Sequence, residues 1–343
     1  MGELIVGRRQ FLWGSGAAIG AAGLSQFDAH CARAADLKPV SLQLGWLIDY
    51  NQTGEIVAQE MGYFADEKLT LDIHPGGSSI DGVAIVASGQ VQVGQTPSSP
   101  ALMLASSHDI PVTAFAVGAQ RHPFAFFSLP KNPVRTPQDM VGKKIGIQST
   151  SQILLNALLK KNGIDPDKVE VVPIGYDMVP LLSGKVDAIS GWVIDVGVLK
   201  ALGPDFITMT LWDCGIHLYS DVYYAKRDTL KNSPEILISF LRATARGWKY
   251  AYENRDKAVE FLVKANSNME PKETRSALDS LMKFEFDDKT KANGWGTMDP
   301  AIWEEQIKTY ADLKQFSGAV PKLDDVMSLA ILDATKDVRA KIG

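Results

Sequence analysis

Polar and aromatic side chains follow directly after several predicted strands of this sequence. The loop after the first strand, for example, carries Trp46, Asp49 and Asn51. Ligands of open α/β sheets bind beyond the carboxyl ends of the strands, so we expect such residues to contact a ligand. The candidate ligand-binding residues are Trp46, Asp49, Asn51, Ser78, Ser79, Ser98, Ser99, Gln120, Ser149, Thr150, Ser151, Tyr176, Asp177, Trp192 and Asp195.

The candidates are of three main types, and each type has a structural and a binding interpretation. The hydroxyls stand at predicted helix starts, where they either cap the helix or lie beside backbone N–H groups that receive a ligand's acceptor atoms. The aromatic rings either pack in the core or stack on a flat ligand. The carboxylates either cap turns or accept N–H donors from a ligand. Arg121 is the only arginine in these loops, which disfavours a strongly anionic ligand.

The histidines are scattered in a way that predicts no catalytic or metal centre. His74, His108, His122 and His217 form no i, i+4 pair, and no Cys/His spacing typical of zinc occurs. The sequence also lacks a Gly-x-Ser-x-Gly elbow, a Walker loop and a Gly-x-Gly-x-x-Gly motif after the first strand. We therefore predict a binding protein with no catalytic residue, no metal and no cofactor.

Alternating strands and helices position the candidate loops. Strands are predicted at residues 40–46, 69–74, 91–93, 112–117, 124–129, 144–148, 169–172, 186–190 and 222–225. Helices of about ten residues separate most of them, which indicates parallel sheets covered by helices. The sequence after residue 225 becomes strongly helical. The phrase Ser-Gly-x-Val occurs at 88–91 and again at 183–186, which favours two similar lobes.

Length and composition fit this two-lobed arrangement and exclude some partners. The chain has 343 residues, 45% of them hydrophobic, and a formal net charge of -5. No basic block is present, so nucleic acid is not an expected partner. We predict lobe 1 at residues 35–132 plus 220–343 and lobe 2 at residues 133–219, with the segment 130–133 as a crossover between them.

The first 34 residues are typical of an export signal. The pair Arg8-Arg9 precedes a Gly/Ala-rich apolar run at 11–24, and Ala32-Arg33-Ala34 offers a small-residue cleavage site. The arginine pair favours the twin-arginine route. We expect a soluble, periplasmic protein. Once the signal is removed only Cys214 remains, so no intramolecular disulfide is possible.

Several segments, in a fixed order, resemble one family. A loop beginning at Trp46 leads into a helix that ends in Gly62-Tyr63-Phe64, and a Leu-x-Leu-Asp strand follows at 69–72. Further matching segments lie at 88–94, 140–146 and 182–188. Together they resemble the thiamine-pyrimidine-synthase-like substrate-binding proteins over about residues 38–265, and the order of the motifs is more specific than any one of them.

The resemblance implies a type II periplasmic-binding-protein fold, in which two α/β lobes close on a ligand through a hinge. It also implies an ABC-importer binding protein for a small ligand, with a membrane permease as partner; we expect a monomer. A thiamine pyrimidine precursor is the favoured ligand, and a sulfonate, taurine or nitrate is the alternative. Fungal members are synthases with a Schiff-base lysine, and Met61 stands at the position that resembles it. A sensor role is not separable from transport by sequence.

Overall fold

The structure is a computed structural model that describes residues 37–339, except for the side chain of Thr150. The predicted export signal at residues 1–34 lies outside the described residues. The described strands are β1 (Lys38–Leu44), β2 (Leu69–His74), β3 (Val93–Thr96), β4 (Val112–Ala119), β5 (Phe124–Ser128), β6 (Lys144–Ile147), β7 (Glu170–Pro173), β8 (Ala188–Trp192), β9 (Ile207–Thr210) and β10 (Ser220–Lys226).

Two five-stranded sheets form the two lobes, and both have the same topology. The order is β2-β1-β3-β10-β4 in the first sheet and β7-β6-β8-β5-β9 in the second. In each sheet the first three strands of that order run parallel. The next strand runs antiparallel to both of its neighbours. Each of these antiparallel strands has just crossed over from the other lobe.

The first crossover lies earlier in the chain than the sequence predicts. Strand β5 pairs with β8 and β9, so Phe124–Ser128 belongs to the second sheet, and the chain crosses between β4 and β5. Residues 130–133 are therefore a turn within lobe 2, where Asn132 donates a hydrogen bond to Asp187. The strand is buried along its whole length, and a strand buried on both faces carries no pattern that assigns it to one lobe. The second crossover joins β9 to β10, and Ser220 begins the returning strand.

Helices cover both sheets, and the carboxy-terminal part of the described chain is mostly helical. They are α1 (Thr53–Glu60), α2 (Tyr63–Asp66), α3 (Gly82–Ser88), α4 (Pro100–Ser107), α5 (Gln152–Lys161), α6 (Val179–Leu182), α7 (Val196–Leu199), α8 (Arg227–Asn232), α9 (Pro234–Glu253), α10 (Arg255–Ala265), α11 (Pro271–Glu285), α12 (Asp288–Asn293), α13 (Pro300–Asp312), α14 (Leu323–Val326) and α15 (Ala330–Ala334). Within residues 37–339, no helix combines the length and the apolar character that a membrane span needs.

Two glycines let α1 and α9 cross closely behind the first sheet. A Cβ added at Gly247 would lie 1.9 Å from the carbonyl oxygen of Gly54, and one added at Gly54 would lie 2.1 Å from the Trp248 indole. The close crossing fixes α1 and the loop that precedes it. The predicted helix that ends in Gly62-Tyr63-Phe64 is divided because Gly62 adopts a left-handed conformation, with φ at 75°, and α1 ends before it.

Candidate functional site

A cavity of about 420 Å³ lies between the two lobes. Its lining comes mainly from loops at the carboxyl ends of strands β1, β2, β3, β6, β7 and β8, as expected for ligand sites in α/β sheets. The amino end of the antiparallel strand β10 lies at the same edge and contributes Ser220 and Asp221. The volume suits a small molecule rather than a peptide.

The loop after β1 is held by a capping box, and its side chains have fixed hydrogen-bonding directions. Asp49 accepts hydrogen bonds from the backbone N–H (2.7 Å) and the side-chain amide (2.8 Å) of Asn51. Gln52 accepts from the Asp49 backbone N–H at 3.0 Å and donates to the Gln95 side chain at 2.9 Å. Asp49 thus both caps a turn and lines the cavity. Burial raises its pKa to about 7, although the bonds from Asn51 oppose the shift.

One carboxyl group connects the two lobes across the cavity. Asp195 of lobe 2 accepts hydrogen bonds from the hydroxyls of Tyr50 in lobe 1 and Tyr176 in lobe 2. Burial raises the pKa of Asp195, and the two tyrosine hydroxyls partly oppose this shift. The carboxyl group therefore acts as an acceptor that both lobes share when they face each other.

An aromatic cluster forms the lobe 2 wall where the first crossover passes. Trp192 lies 5.1 Å from the ring of His122 and 5.8 Å, edge to face, from Phe124. Burial lowers the pKa of His122 to about 3, so the imidazole is neutral. Trp192 itself is only partly buried and lines the cavity. Its exposed indole surface offers a platform on which a flat ring can stack.

A group of buried carboxyls lies at and behind the floor of the cavity. Asp221 lines the floor, while Glu55 and Glu285 are fully buried behind it. Burial raises the pKa of Glu55 to about 7 and that of Glu285 to about 8. Glu285 accepts a hydrogen bond from the Trp295 indole N–H at 2.6 Å. Burial and the neighbouring Glu285 raise the pKa of Asp221 well above its usual range.

Nine of the predicted candidates line the cavity together. They are Trp46, Asp49, Asn51, Ser78, Ser98, Ser151, Tyr176, Trp192 and Asp195. They come from both lobes and from six separate loops. The strand-end loops that carry these nine residues therefore line one cleft. That each of the nine residues touches a ligand stays a prediction.

The remaining candidates lie elsewhere, for identifiable reasons. Ser99 is buried and donates to Gln306 at 2.6 Å, so it joins α4 to α13. Gln120 is buried and donates to the Thr297 carbonyl oxygen at 2.9 Å. Asp177 accepts from the Val179 backbone N–H and begins the turn of α6. Two further candidates, Ser79 and Ser149, are exposed and do not belong to the cavity lining. The side chain of Thr150 is outside the part of the chain that the structure describes.

Several polar residues of the cavity lining are outside the predicted set, among them Tyr50, Gln95 and Asp221. Tyr50 and Gln95 belong to the strand-end loops themselves, where the aromatic hydroxyl of one and the side-chain amide of the other were available signals. Asp221 lies at the beginning of a strand, β10, instead of following one. Because β10 runs antiparallel to its neighbours, its amino end lies beside their carboxyl ends. The rule that ligands bind beyond the carboxyl ends of strands therefore does not identify Asp221.

Comparisons with known proteins agree with this architecture. The model of the family described as NMT1/THI5 like matches residues 49–258. A formylaminopyrimidine-binding protein of Halalkalibacterium halodurans is 26% identical over 278 residues, covering 79% of this chain and 84% of that protein. A 4-amino-5-hydroxymethyl-2-methylpyrimidine phosphate synthase of Legionella pneumophila is 27% identical over 243 residues, covering 67% of this chain and 74% of that protein.

Among solved structures, a periplasmic sulfonate-binding protein of Methylobacillus flagellatus superposes with a TM-score of 0.65 at 16% identity, over 88% of this chain and 95% of that chain. A likeness at this identity concerns the fold, and it confirms the predicted periplasmic-binding-protein architecture of two α/β lobes. Together with the family match over most of the chain, it confirms the resemblance drawn from the sequence motifs. The chain belongs to the NMT1/THI5-like family and has the fold of the periplasmic binding proteins.

Proposed function

We propose that this protein is the exported solute-binding component of an ABC importer and that it carries a small amino-substituted heterocycle, such as a thiamine pyrimidine precursor. The observation that carries the proposal is the composition of the cavity. Its described lining includes three carboxyl groups, those of Asp49, Asp195 and Asp221, and no lysine, arginine or histidine. Such a lining favours a ligand that donates N–H groups.

The aromatic and amide groups of the lining support a flat, polar ligand. Trp46 of lobe 1 is 41% exposed and Tyr176 of lobe 2 is 49% exposed, and Trp192 of lobe 2 lines the same cavity. Large side chains that stay this exposed gain most from a partner that covers them. Asn51 and Gln95 supply amide groups that can pair with the edge of a heterocycle. A formylaminopyrimidine, the ligand in the name of the Halalkalibacterium relative, has this combination of ring and N–H donors.

The anionic alternative fits the cavity less well. A sulfonate, taurine or nitrate brings oxygen acceptors, and these would meet the carboxyls at close range without a basic side chain among the described lining residues. A buried anion needs a cationic or N–H partner, and any of these carboxyls that ionises would repel it. The likeness to the sulfonate-binding protein concerns the fold, so it does not favour this ligand class.

The enzyme alternative rests on relatives named as synthases. A Schiff base would need a lysine at the cavity, and the described lining includes none. Met61, where the resemblance places that lysine, ends α1 outside the lining, so its identity does not bear on cavity chemistry. We therefore infer binding without catalysis. Export through the predicted signal, a periplasmic location, a permease partner and a monomeric state are parts of the same proposal.

Thermal unfolding and titration calorimetry of the protein without residues 1–34 test the proposal. A ligand at about 100 times its Kd should add about 2.7 kcal/mol to the free energy of unfolding. We expect a shift with formylaminopyrimidine and none with taurine or nitrate. Two Asp→Asn variants of lobe 2 provide a matched comparison: Asp195→Asn, inside the cavity, should weaken binding, and Asp177→Asn, outside it, should not. Binding of sulfonates alone, or a covalent product with the pyrimidine, would reject the proposal.

A further inference from the structure

A series of hydrogen bonds fixes which side-chain amide atom of Gln95, at the cavity floor, is the oxygen and which is the nitrogen. The series starts at the backbone N–H of Asp49, which can only donate. The Gln52 side-chain atom to which it donates must therefore be the amide oxygen. The amide nitrogen of Gln52 then donates to the oxygen of Gln95. The remaining Nε2 of Gln95 is therefore a donor. It is buried, and among residues 37–339 it has no hydrogen-bond partner.

A carboxyl group lines the same cavity as this donor. Asp221 is only 4% exposed and lines the cavity, and its Oδ2 is buried without a hydrogen-bond partner in the described part of the chain. In the register of β3 and β10, Tyr223 is opposite Gln95, so Asp221 is two residues along β10 from the partner of Gln95. A buried polar atom left unpaired costs about 1–3 kcal/mol, which a ligand bond would remove.

The backbone at Asp221 is unusual in a way that serves this position. Its φ is 51°, in the left-handed region that few residues other than glycine adopt. On either side of it, Ser220 is opposite Ala119 and Val222 is opposite Val117, so β10 and β4 keep one register across this position. A strained conformation next to a ligand cavity is a recurrent property of functional positions.

We propose that Asp221 and Gln95 are the specificity-determining pair of the cavity and that they bind the amidine-like edge of an amino-substituted heterocycle. The exocyclic amino group donates to Oδ2 of Asp221, and the adjacent ring nitrogen accepts from Nε2 of Gln95. Asn51 Oδ1, a further buried acceptor at the cavity without a partner among the described residues, is available to the second amino hydrogen. The inference rests on the proposed function and adds which residues select the ligand and by which chemical group.

The test compares a substituted aminopyrimidine with the same pyrimidine lacking its amino group, by calorimetry on the protein without residues 1–34. The protein should prefer the aminopyrimidine by about tenfold to a hundredfold, the range that corresponds to leaving one buried acceptor without a partner. Asp221→Asn should reduce that preference to about threefold or less, because the asparagine can present its amide nitrogen to the ligand's amino group. Asp177→Asn, outside the cavity, should leave the preference unchanged.

Asp221→Gly provides a second variant that keeps the left-handed backbone while removing the carboxyl group. It should lose the preference as Asp221→Asn does, which separates the role of the carboxyl from that of the backbone. Retention of the preference in both variants would overturn the inference and leave the proposed function intact. Failure of the wild-type protein to bind either compound would overturn both.

Discussion

Replacing Glu285 by glutamine should change how the stability of the protein depends on pH. Glu285 is fully buried on α11, with one oxygen bonded to the Trp295 indole and the other without a partner among the described residues. Glutamine keeps an oxygen acceptor for Trp295. It also places an amide donor on the side of Asp221, since a Cβ added at Gly118 would contact the side chains of both acids. The substitution therefore preserves the shape of the site and removes a buried acid.

The magnitude follows from the pKa of Glu285, which burial raises from 4.5 to about 8. The folded protein thus holds this proton more tightly than the unfolded chain, so the contribution to stability is full below about pH 4.5 and is lost as the pH rises through about 8. At about 1.4 kcal/mol per unit, the loss is on the order of 5 kcal/mol. Relative to wild type, Glu285→Gln should gain most of that amount between about pH 5 and about pH 8.

Urea unfolding at several pH values, followed by tryptophan fluorescence, measures this difference directly. Glu304→Gln, which removes an exposed carboxyl from α13, controls for the change in net charge. A constant difference between wild type and Glu285→Gln over this pH range would refute the reasoning. So would a difference of equal size in the Glu304→Gln control.

Three further substitutions test the packing and the site. Tyr50→Phe removes the lobe 1 donor to Asp195, so the two lobes of the ligand-free protein should open. X-ray scattering should then give a larger radius of gyration, and an unchanged radius would contradict this. Trp192→Ala removes the ring platform and should raise the Kd of the ligand about tenfold in calorimetry, whereas an unchanged Kd would place the ligand elsewhere. Gly247→Ala inserts a Cβ 1.9 Å from the Gly54 carbonyl and should lower the free energy of unfolding by about 1–3 kcal/mol or more; an unaffected urea midpoint would contradict the close crossing.

The fold was predictable because alternating strands and helices leave a strong pattern in the sequence. The strand at 69–74 has the predicted bounds, and α9 lies in the part after residue 225 that is predicted to be strongly helical. Strand β9 escaped prediction because its four residues lie at a sheet edge and only alternate ones are buried. The lobe to which β5 belongs depends on pairing with strands far away in the sequence, which no local pattern records.

The site was predictable to the extent that it follows the geometry of parallel strands. Candidates such as Trp46 and Trp192 follow strands and line the cavity. Ser99 and Gln120 follow strands as well, but their partners are α13 and the Thr297 loop, and only tertiary packing brings these within reach. Asp221 required knowledge that one strand of the sheet runs antiparallel.

The buried acids of the floor have different consequences for stability and for binding. Asp221 and Glu285 repel each other when ionised, and each raises the free energy of the folded state because burial disfavours its charged form. Replacing either acid by a neutral side chain should therefore stabilise the ligand-free protein at neutral pH, because the folded protein no longer has to keep a proton on a buried acid that is ionised in the unfolded chain. Only Asp221 lines the cavity, so only its removal should weaken selection of the ligand's amino group. We therefore expect variants at both positions to be more stable than the wild type, but only the variant at Asp221 to lose selectivity. This is the pattern expected where a destabilising group is kept for recognition.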